Sequence, residues 1–295
     1  STFVEKKEVS CLFFCTYGTR AHSMGLWEAS FMWFEVLGTE ERMRRLKELL
    51  TERGHAAALS RPAVQKPDVL ILPYPFAVRD GMVHDKHPLT PADALKRAGG
   101  LVLSGNGLEP YLDGTQAFKH VNLCKDEILQ RENAELSAEG AVFYAMRGNG
   151  GKALWQSRCL ILGYGRLGRA LARRLVAFGG RVTIAARSET ARLRARSDGM
   201  RACSIPESVD LFSDVDFLFN TVPSQILSVN ALRRLPSDAR LFELAGAPYG
   251  YEQAAALSLG LRTAVLPAIP SRYAPDSAAR LLYEAVCRAM GGFIG

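Results

Sequence analysis

Apolar and polar positions change period along the chain in regular blocks. Residues 31–37 form an apolar run that predicts a strand. Thr39 is then expected to cap a helix reaching Arg53, with Met43, Leu46, Leu49 and Leu50 on one face and Gly54 closing it. Residues 56–59 and 68–73 read as short strands, the second opening into a proline-rich loop over 74–91. A short helix over 91–97 and a strand over 100–104 continue the alternation. Residues 126–146 predict a long helix, broken or kinked near Ser137, and the glycine-rich segment 148–151 reads as a hinge.

The pattern then starts again. Residues 159–162 are an apolar run of the kind found in buried parallel strands, followed by helical spacing at Leu167, Leu171, Leu175 and Phe178 and a further strand over 181–186. A helix from about 188 to 196 follows, then strands over 200–204, 215–220, 240–245 and 261–266, and a final helix capped by Asp276. Strands alternating with helices imply parallel sheets. The expected fold is α/β, with two Rossmann-like doubly wound parallel-sheet domains, a substrate-side domain over 31–147 and a dinucleotide-binding domain over 148–295. Residues 1–30 are expected to be an extension outside the fold. Their apolar patch over 9–17 is short, holds Ser10, Cys11 and Cys15, and fits a signal peptide poorly, so that Met32 reads as a sensible natural start.

The chemistry centres on Gly163-Tyr164-Gly165-Arg166-Leu167-Gly168, a G-x-G-x-x-G spacing placed between strand and helix. Gly163 permits the tight turn, Gly165 lets a pyrophosphate approach the backbone, and Gly168 lets the helix pack closely on the strand. The helix start then offers unpaired N–H groups to the phosphates. The second strand of this unit ends in Ala185-Ala186-Arg187-Ser188, without the carboxylate that usually binds a ribose 2′-hydroxyl. Arg187 can pair with a 2′-phosphate and Ser188 can donate to it, so NADP is expected, with NAD as the alternative. An Arg187 that stacks on adenine or faces solvent is the bland alternative. Thr221, Val222 and Pro223, at the end of the strand over 215–220, and Ala245, at the end of the strand over 240–245, complete the expected cofactor set.

The 295 residues are 48% hydrophobic and 23% charged, so a substantial core is available. The net charge of +7 comes from scattered Arg and Lys without a nucleic-acid motif, and no apolar run is long enough to cross a membrane. The charge suits anionic small molecules. The cysteines are dispersed and complete no zinc site, which points to a reducing, cytoplasmic setting. His84 and His87 lack a visible third ligand, and no metal is expected.

The combination 220–227 (Asn-Thr-Val-Pro-Ser-Gln-Ile-Leu) is more particular than the glycine motif. Together with that motif, Ala185-Ala186-Arg187-Ser188, the segment 132–140 and Leu266-Pro267-Ala268-Ile269-Pro270, it resembles the dipicolinate synthase family of spore-forming bacteria, in the first of its two subunits, over about 32–292. That resemblance implies a pyridine nucleotide-dependent oxidation of dihydrodipicolinate, or of its hydroxylated tetrahydro precursor, to pyridine-2,6-dicarboxylate during sporulation. It implies the family's second, flavoprotein-like subunit as partner, and a homo- or hetero-oligomer. Family members carry Asp where this chain has Glu243 and a more basic residue where it has Asp276.

Such chemistry needs a proton acceptor and cations or N–H donors for two carboxylates. Glu139, on the long helix, is the first choice of base, with an interdomain brace as the bland alternative. Asn133 and Ser137, one turn apart, are expected to hold a substrate carboxylate or to cap the helical break. Ser104 and Asn106 follow the fourth strand, and Arg79 and Arg272 are candidate carboxylate clamps on loops. A 2-hydroxyacid-type dehydrogenase and a non-catalytic NADP-binding regulatory protein are the competing readings.

Overall fold

The computed structural model describes residues 31–60, 65–148 and 150–291; the expected extension over 1–30 lies outside the described residues. The first half of the chain runs β1 (Trp33–Val36), α1 (Glu41–Glu52), β2 (Ala56–Leu59), β3 (Val69–Ile71), β4 (Val78–Arg79), β5 (Met82–Val83), α2 (Pro91–Lys96), β6 (Leu101–Ser104) and β7 (Lys119–Asn122). The long helix α3 (Glu127–Arg147) follows. The second half runs β8 (Arg158–Leu162), α4 (Arg166–Ala177), β9 (Arg181–Ala185), α5 (Glu189–Ser197), β10 (Arg201–Cys203), α6 (Ile205–Ser208), β11 (Phe217–Asn220) and α7 (Val229–Leu232). It ends with β12 (Arg240–Glu243), α8 (Gln253–Ser258), β13 (Arg262–Val265), α9 (Ile269–Tyr273) and α10 (Pro275–Ala289).

Two parallel sheets result, as the alternation implied. The first has the order β2-β1-β3-β6-β7 and the second β10-β9-β8-β11-β12-β13, with a separate two-stranded hairpin of β4 and β5. Each order reverses once, between β1 and β3 in the first sheet and between β8 and β11 in the second. At such a point the loops on either side part, leaving a crevice outside the carboxyl ends of the strands. The fold therefore provides two crevices.

Both faces of each sheet are covered. On the second sheet, α3 and α4 bury one face with Ala138, Ala141, Leu171 and Leu175, against the stacked rings of Phe217, Phe219 and Phe242. The opposite face is closed by Phe212, Leu232 and Ala256. On the first sheet, α1 supplies Met43, Leu46 and Leu50, as its spacing predicts. The last helix, α10, packs here too, through Ala279, Leu282 and Val286. The chain thus crosses between the sheets after α3 and again before α10, whose apolar stripe packs against α1.

Helix α3 is continuous over 21 residues, without the expected break at Ser137. The Ser137 hydroxyl donates back to the Asn133 carbonyl (2.7 Å) and leaves the helix intact. Gly140 has a packing role: a Cβ there would lie 2.3 Å from Ile269 Cγ2, so only glycine lets α3 and α9 cross this closely. Thr39 does not cap α1. Glu40 occupies that position without a side-chain bond, and Thr39 Oγ1 instead meets His84 Nε2 at 2.9 Å. The last helix begins at Pro275, and Asp276, in its first turn, pairs with Arg45 of α1 (2.9 Å).

Candidate functional site: a glycine turn and a cleft

The glycine turn has the geometry its spacing requires. Gly163 has φ +95°, and a Cβ there would meet Thr221 Oγ1 at 2.5 Å and Val222 Cγ2 at 2.9 Å. Gly168 sits against the Gly163 carbonyl, where a Cβ would be 2.3 Å from the oxygen. Gly165 has nothing within 4 Å of a Cβ, so its backbone faces open space. It is also the N-cap of α4, with no side chain bonded to the helix start. The turn is therefore tight on its two inner sides and bare on its outer side, which fits the approach of a pyrophosphate to amide hydrogens at a positive helix end. Thr221 Oγ1 donates to the Leu162 carbonyl (2.7 Å) and fixes the β11 loop beside the turn.

The other side chains of the motif face elsewhere. Tyr164 is buried, and its hydroxyl donates to Asp198 Oδ2 (2.8 Å); burial and that carboxylate push the phenol up to about 12. Arg166 donates to Glu127 at the start of α3 (2.7 and 2.5 Å), and Leu167 packs into the core. Val222 is half-buried beside Gly163, and Pro223 is exposed.

At the end of β9, Arg187 is exposed, with no ion-pair partner among the described residues. Ser188 caps α5 by accepting from the Ala191 amide (3.2 Å), which leaves its hydroxyl proton available. A second cation, not foreseen from the sequence, lies here. Arg192 Nη1 donates to the carbonyls of Ala186 (2.9 Å) and Arg187 (2.8 Å) and so shapes the loop.

The second crevice holds a cavity of about 440 Å³. It is lined from the β1–α1 turn by Thr39, Glu40 and Arg42, from the loop after β3 by Tyr74 and Pro75, and from the hairpin region by Arg79 and His84. Helix α3 contributes Gln130, Asn133 and Ser137, and the second half closes the cavity with Ala245, Gly246 and Leu266 to Pro270. Both halves of the chain thus build it.

Arg42 is the dominant charge in this cavity and only 2% exposed. Its Nη2 donates to Glu40 Oε2 (3.3 Å) and to the Tyr74 carbonyl, its Nη1 lies 3.4 Å from Asn133 Oδ1, and its Cζ stands 5.1 Å from the Tyr74 ring centre. Its Nε has no partner among the described residues. Burial lowers its pKa, with Glu40 and Tyr74 opposing that, yet a guanidinium stays charged at neutral pH. A buried cation on the wall of a cavity is suited to an anionic ligand. Tyr74 Oη accepts from Gln130 Nε2 (2.6 Å), and burial raises its pKa. His84 is the imidazole of the lining, oriented by Thr39.

Of the residues expected from the sequence, Asn133, Ser137, Arg79 and Ala245 meet in this cavity. Glu139 does not line it. It is exposed on α3 and accepts from the Tyr273 hydroxyl (2.8 Å), the brace geometry. Ser104 is buried, donates to the Gly105 carbonyl (2.8 Å) and pairs with His120 Nε2 (2.8 Å). Asn106 is exposed and accepts from Asn122 (3.0 Å), and Arg272 is exposed and outside the lining. Sequence reasoning passes over Arg42, although a signal exists: it stands one turn before Leu46 on the apolar face of α1, where a cation needs a reason.

Glu243 ties the two crevices together. It is fully buried at the end of β12, where it accepts from Asn220 Nδ2 (2.7 and 2.9 Å) and from the amides of Ala245 (3.0 Å) and Gly250 (2.9 Å). Asn220 immediately precedes Thr221 of the glycine-turn side, and Ala245 lines the cleft. Burial raises the Glu243 pKa, against the pull of these N–H donors.

Comparison with known proteins bears on the fold. Residues 128–256 match the family model described as D-isomer specific 2-hydroxyacid dehydrogenase, NAD binding domain. The chain is 25% identical over 234 residues to the first of the dipicolinate synthase subunits of Bacillus subtilis (strain 168), covering 77% of this chain and 78% of that protein. The crystal structure of the corresponding dipicolinate synthase polypeptide from Bacillus halodurans superposes with a TM-score of 0.77 at 21% identity, covering 90% of this chain and 99% of that one. That of the Bacillus subtilis polypeptide gives 0.75 at 22% identity, with 90% and 97% covered. The likeness to the dipicolinate synthase family expected from the sequence therefore holds over most of the chain, and the fold is that of nicotinamide dinucleotide-binding dehydrogenases. Among the described residues no helix is long and apolar enough to cross a membrane.

Proposed function

We propose that the protein is an NADP-dependent dehydrogenase that oxidises a small cyclic dicarboxylate. The substrate is dihydrodipicolinate or its hydroxylated tetrahydro precursor, and the product is pyridine-2,6-dicarboxylate formed during sporulation. The chain works as one half of dipicolinate synthase, with the second, flavoprotein-like subunit as its partner. The observation that carries this reading is the buried Arg42 lining a cleft at the carboxyl ends of the strands, the same end as the glycine turn.

The residues fit the cofactor. The bare outer side of Gly165 takes the pyrophosphate, and the absence of a carboxylate after β9, with Arg187 and Ser188 in its place, suits a 2′-phosphate. When bound, the nicotinamide supplies a hydride acceptor. The chain's own residues do the rest. Arg42 grips one substrate carboxylate, with Asn133 and Arg79 available to the other, which fixes the ring relative to the second half of the cleft. His84, held in one orientation by Thr39, takes the proton released as the hydride leaves. Loss of one hydride and one proton from the dihydro ring leaves the aromatic product, and that aromatisation drives the step; the hydroxylated tetrahydro precursor reaches the same dihydro ring by first losing water.

Turnover is tested by mixing the protein, NADP and enzymatically generated dihydrodipicolinate, with and without the flavoprotein-like partner, and following the absorbance of the aromatic product. No rate above the uncatalysed one in either mixture contradicts the proposal. Cofactor choice is tested with Arg187→Asp. A charge-assisted contact is worth about 1.5–3 kcal/mol, so the NADP Kd should rise by roughly 10- to 150-fold while the NAD Kd holds. An unchanged ratio of the two contradicts the NADP assignment.

A further inference from the structure

A second cavity, of about 340 Å³, lies at the opposite edge of the second sheet, where the strands begin. Arg240 and Arg262 open β12 and β13 and are direct cross-strand partners. Their guanidinium groups converge. A Cβ on Gly150 would lie 1.5 Å from Arg240 Nη2 and 3.1 Å from Arg262 Nη1. Arg147, from the last turn of α3, joins them in the lining. None of the three arginines has an ion-pair partner among the described residues, and Arg240 Nε is buried without a hydrogen-bond acceptor. The nearby carboxylates of Asp216 and Asp238 are engaged by Lys152 (3.0 and 2.8 Å). Burial, and then the charge of Arg262, lower the Arg240 pKa, with Asp238 opposing them.

The rest of the lining is of another kind. The Tyr144 ring stands at one wall, and Leu241, Phe242, Ala264 and Leu266 supply apolar surface. Leu266 also lines the cleft, so this cavity sits directly behind it. Converging cations over an apolar and aromatic wall match a ligand with a charged head and a flat apolar body.

We infer that this cavity is a second anion site, which takes a small aromatic carboxylate, its carboxylate on Arg240 and Arg262 and its ring against Tyr144. The inference is independent of the redox reading, since none of these arginines touches the glycine turn or the cleft.

The test is calorimetric titration of the full chain with benzoate and, separately, with inorganic phosphate, in three proteins: the unaltered chain, the double variant Arg240→Gln/Arg262→Gln, and Arg42→Gln. The last removes the cleft's anion site while leaving the rear cavity intact. Expected are saturable benzoate binding to the unaltered chain, at least about a tenfold loss in the double variant, retention in Arg42→Gln, and weaker binding of phosphate. Thermal denaturation gives a second readout. Without ligand the double variant should melt no lower than the unaltered chain, because a repulsion is relieved, whereas added benzoate should raise the melting temperature of the unaltered chain but not of the double variant. Equal benzoate affinity in the double variant, loss in Arg42→Gln, absence of saturation, or phosphate binding as tight as benzoate would overturn the inference.

Discussion

Each sheet sends its first strand through a positive-φ glycine into a helix, and the two turns have opposite contents. After β8, Gly163 (φ +95°) leads to a helix start with no side chain at its cap and open space outside Gly165. After β1, Gly38 (φ +128°) leads to Glu40 at the cap and to Arg42 folded inward over Tyr74. In the first case the ligand's charge is met by amide hydrogens and a helix dipole, which need a close backbone. In the second it is met by a side-chain cation, with a carboxylate at the helix mouth that discourages phosphate. The same topology thus serves a dinucleotide on one sheet and, in our proposal, a carboxylate on the other.

Equivalent damage to the two turns should therefore have unequal effects. The largest is expected from Gly168→Ala, whose new methyl meets the Gly163 carbonyl at 2.3 Å, a backbone atom with nowhere to go. Overpacking of that kind costs about 3 kcal/mol, and denaturant unfolding should show it together with loss of cofactor binding. Gly38→Ala must hold φ +128°, a strained conformation for an L residue, and meets Met43 Cγ at 2.9 Å, so it should also destabilise the chain but leave cofactor binding intact. Equal losses of cofactor binding would dissolve the contrast.

Arg42→Gln comes next. It should raise KM for the dicarboxylate by roughly 10- to 150-fold with cofactor affinity unchanged, and Arg42→Lys should not restore it, because a lysine lacks the planar fork. A shift in cofactor Kd in place of substrate KM would show that the two turns are not separate sites.

The contrast was partly readable in the sequence. The glycine turn stands out because its three roles are steric and leave a fixed spacing. Arg42 is less visible, since Glu40 and Glu41 draw attention to the turn's negative charge while the cation hides on an apolar face. Helix α9 is obscured by Pro267 and Pro270, which read as loop although one of them opens the helix. Strand β7, Lys-His-Val-Asn, is a short polar edge strand with no distinctive period. The return of α10 to the first sheet has no local signature, because a terminal helix does not record which sheet it covers. Ser137 resembles a helix breaker until its hydroxyl is seen to bond within the helix.

The smallest effect concerns the link between the turns. Glu243→Gln replaces a carboxylate that accepts from three N–H donors with a single acceptor oxygen and should cost about 1–2 kcal/mol. Its pH dependence has a definite sign. The folded pKa of Glu243 is raised above the ordinary 4.5, so the unaltered chain gains stability from this group below 4.5 and loses it as pH rises through the folded value. The variant lacks that loss, and its deficit relative to the unaltered chain should shrink from pH 4.5 upward. A deficit that widens over the same range contradicts the raised pKa.

The central claim is that amide hydrogens around Gly165 hold the dinucleotide. Fluorescence titration of reduced nicotinamide dinucleotides into the unaltered chain and into Gly165→Val tests it directly, because that side chain would fill open space without touching the protein. Saturable binding is predicted for the first and at least about a hundredfold weaker binding for the second, with the melting temperature without ligand unchanged. Equal affinities in the two proteins would contradict it.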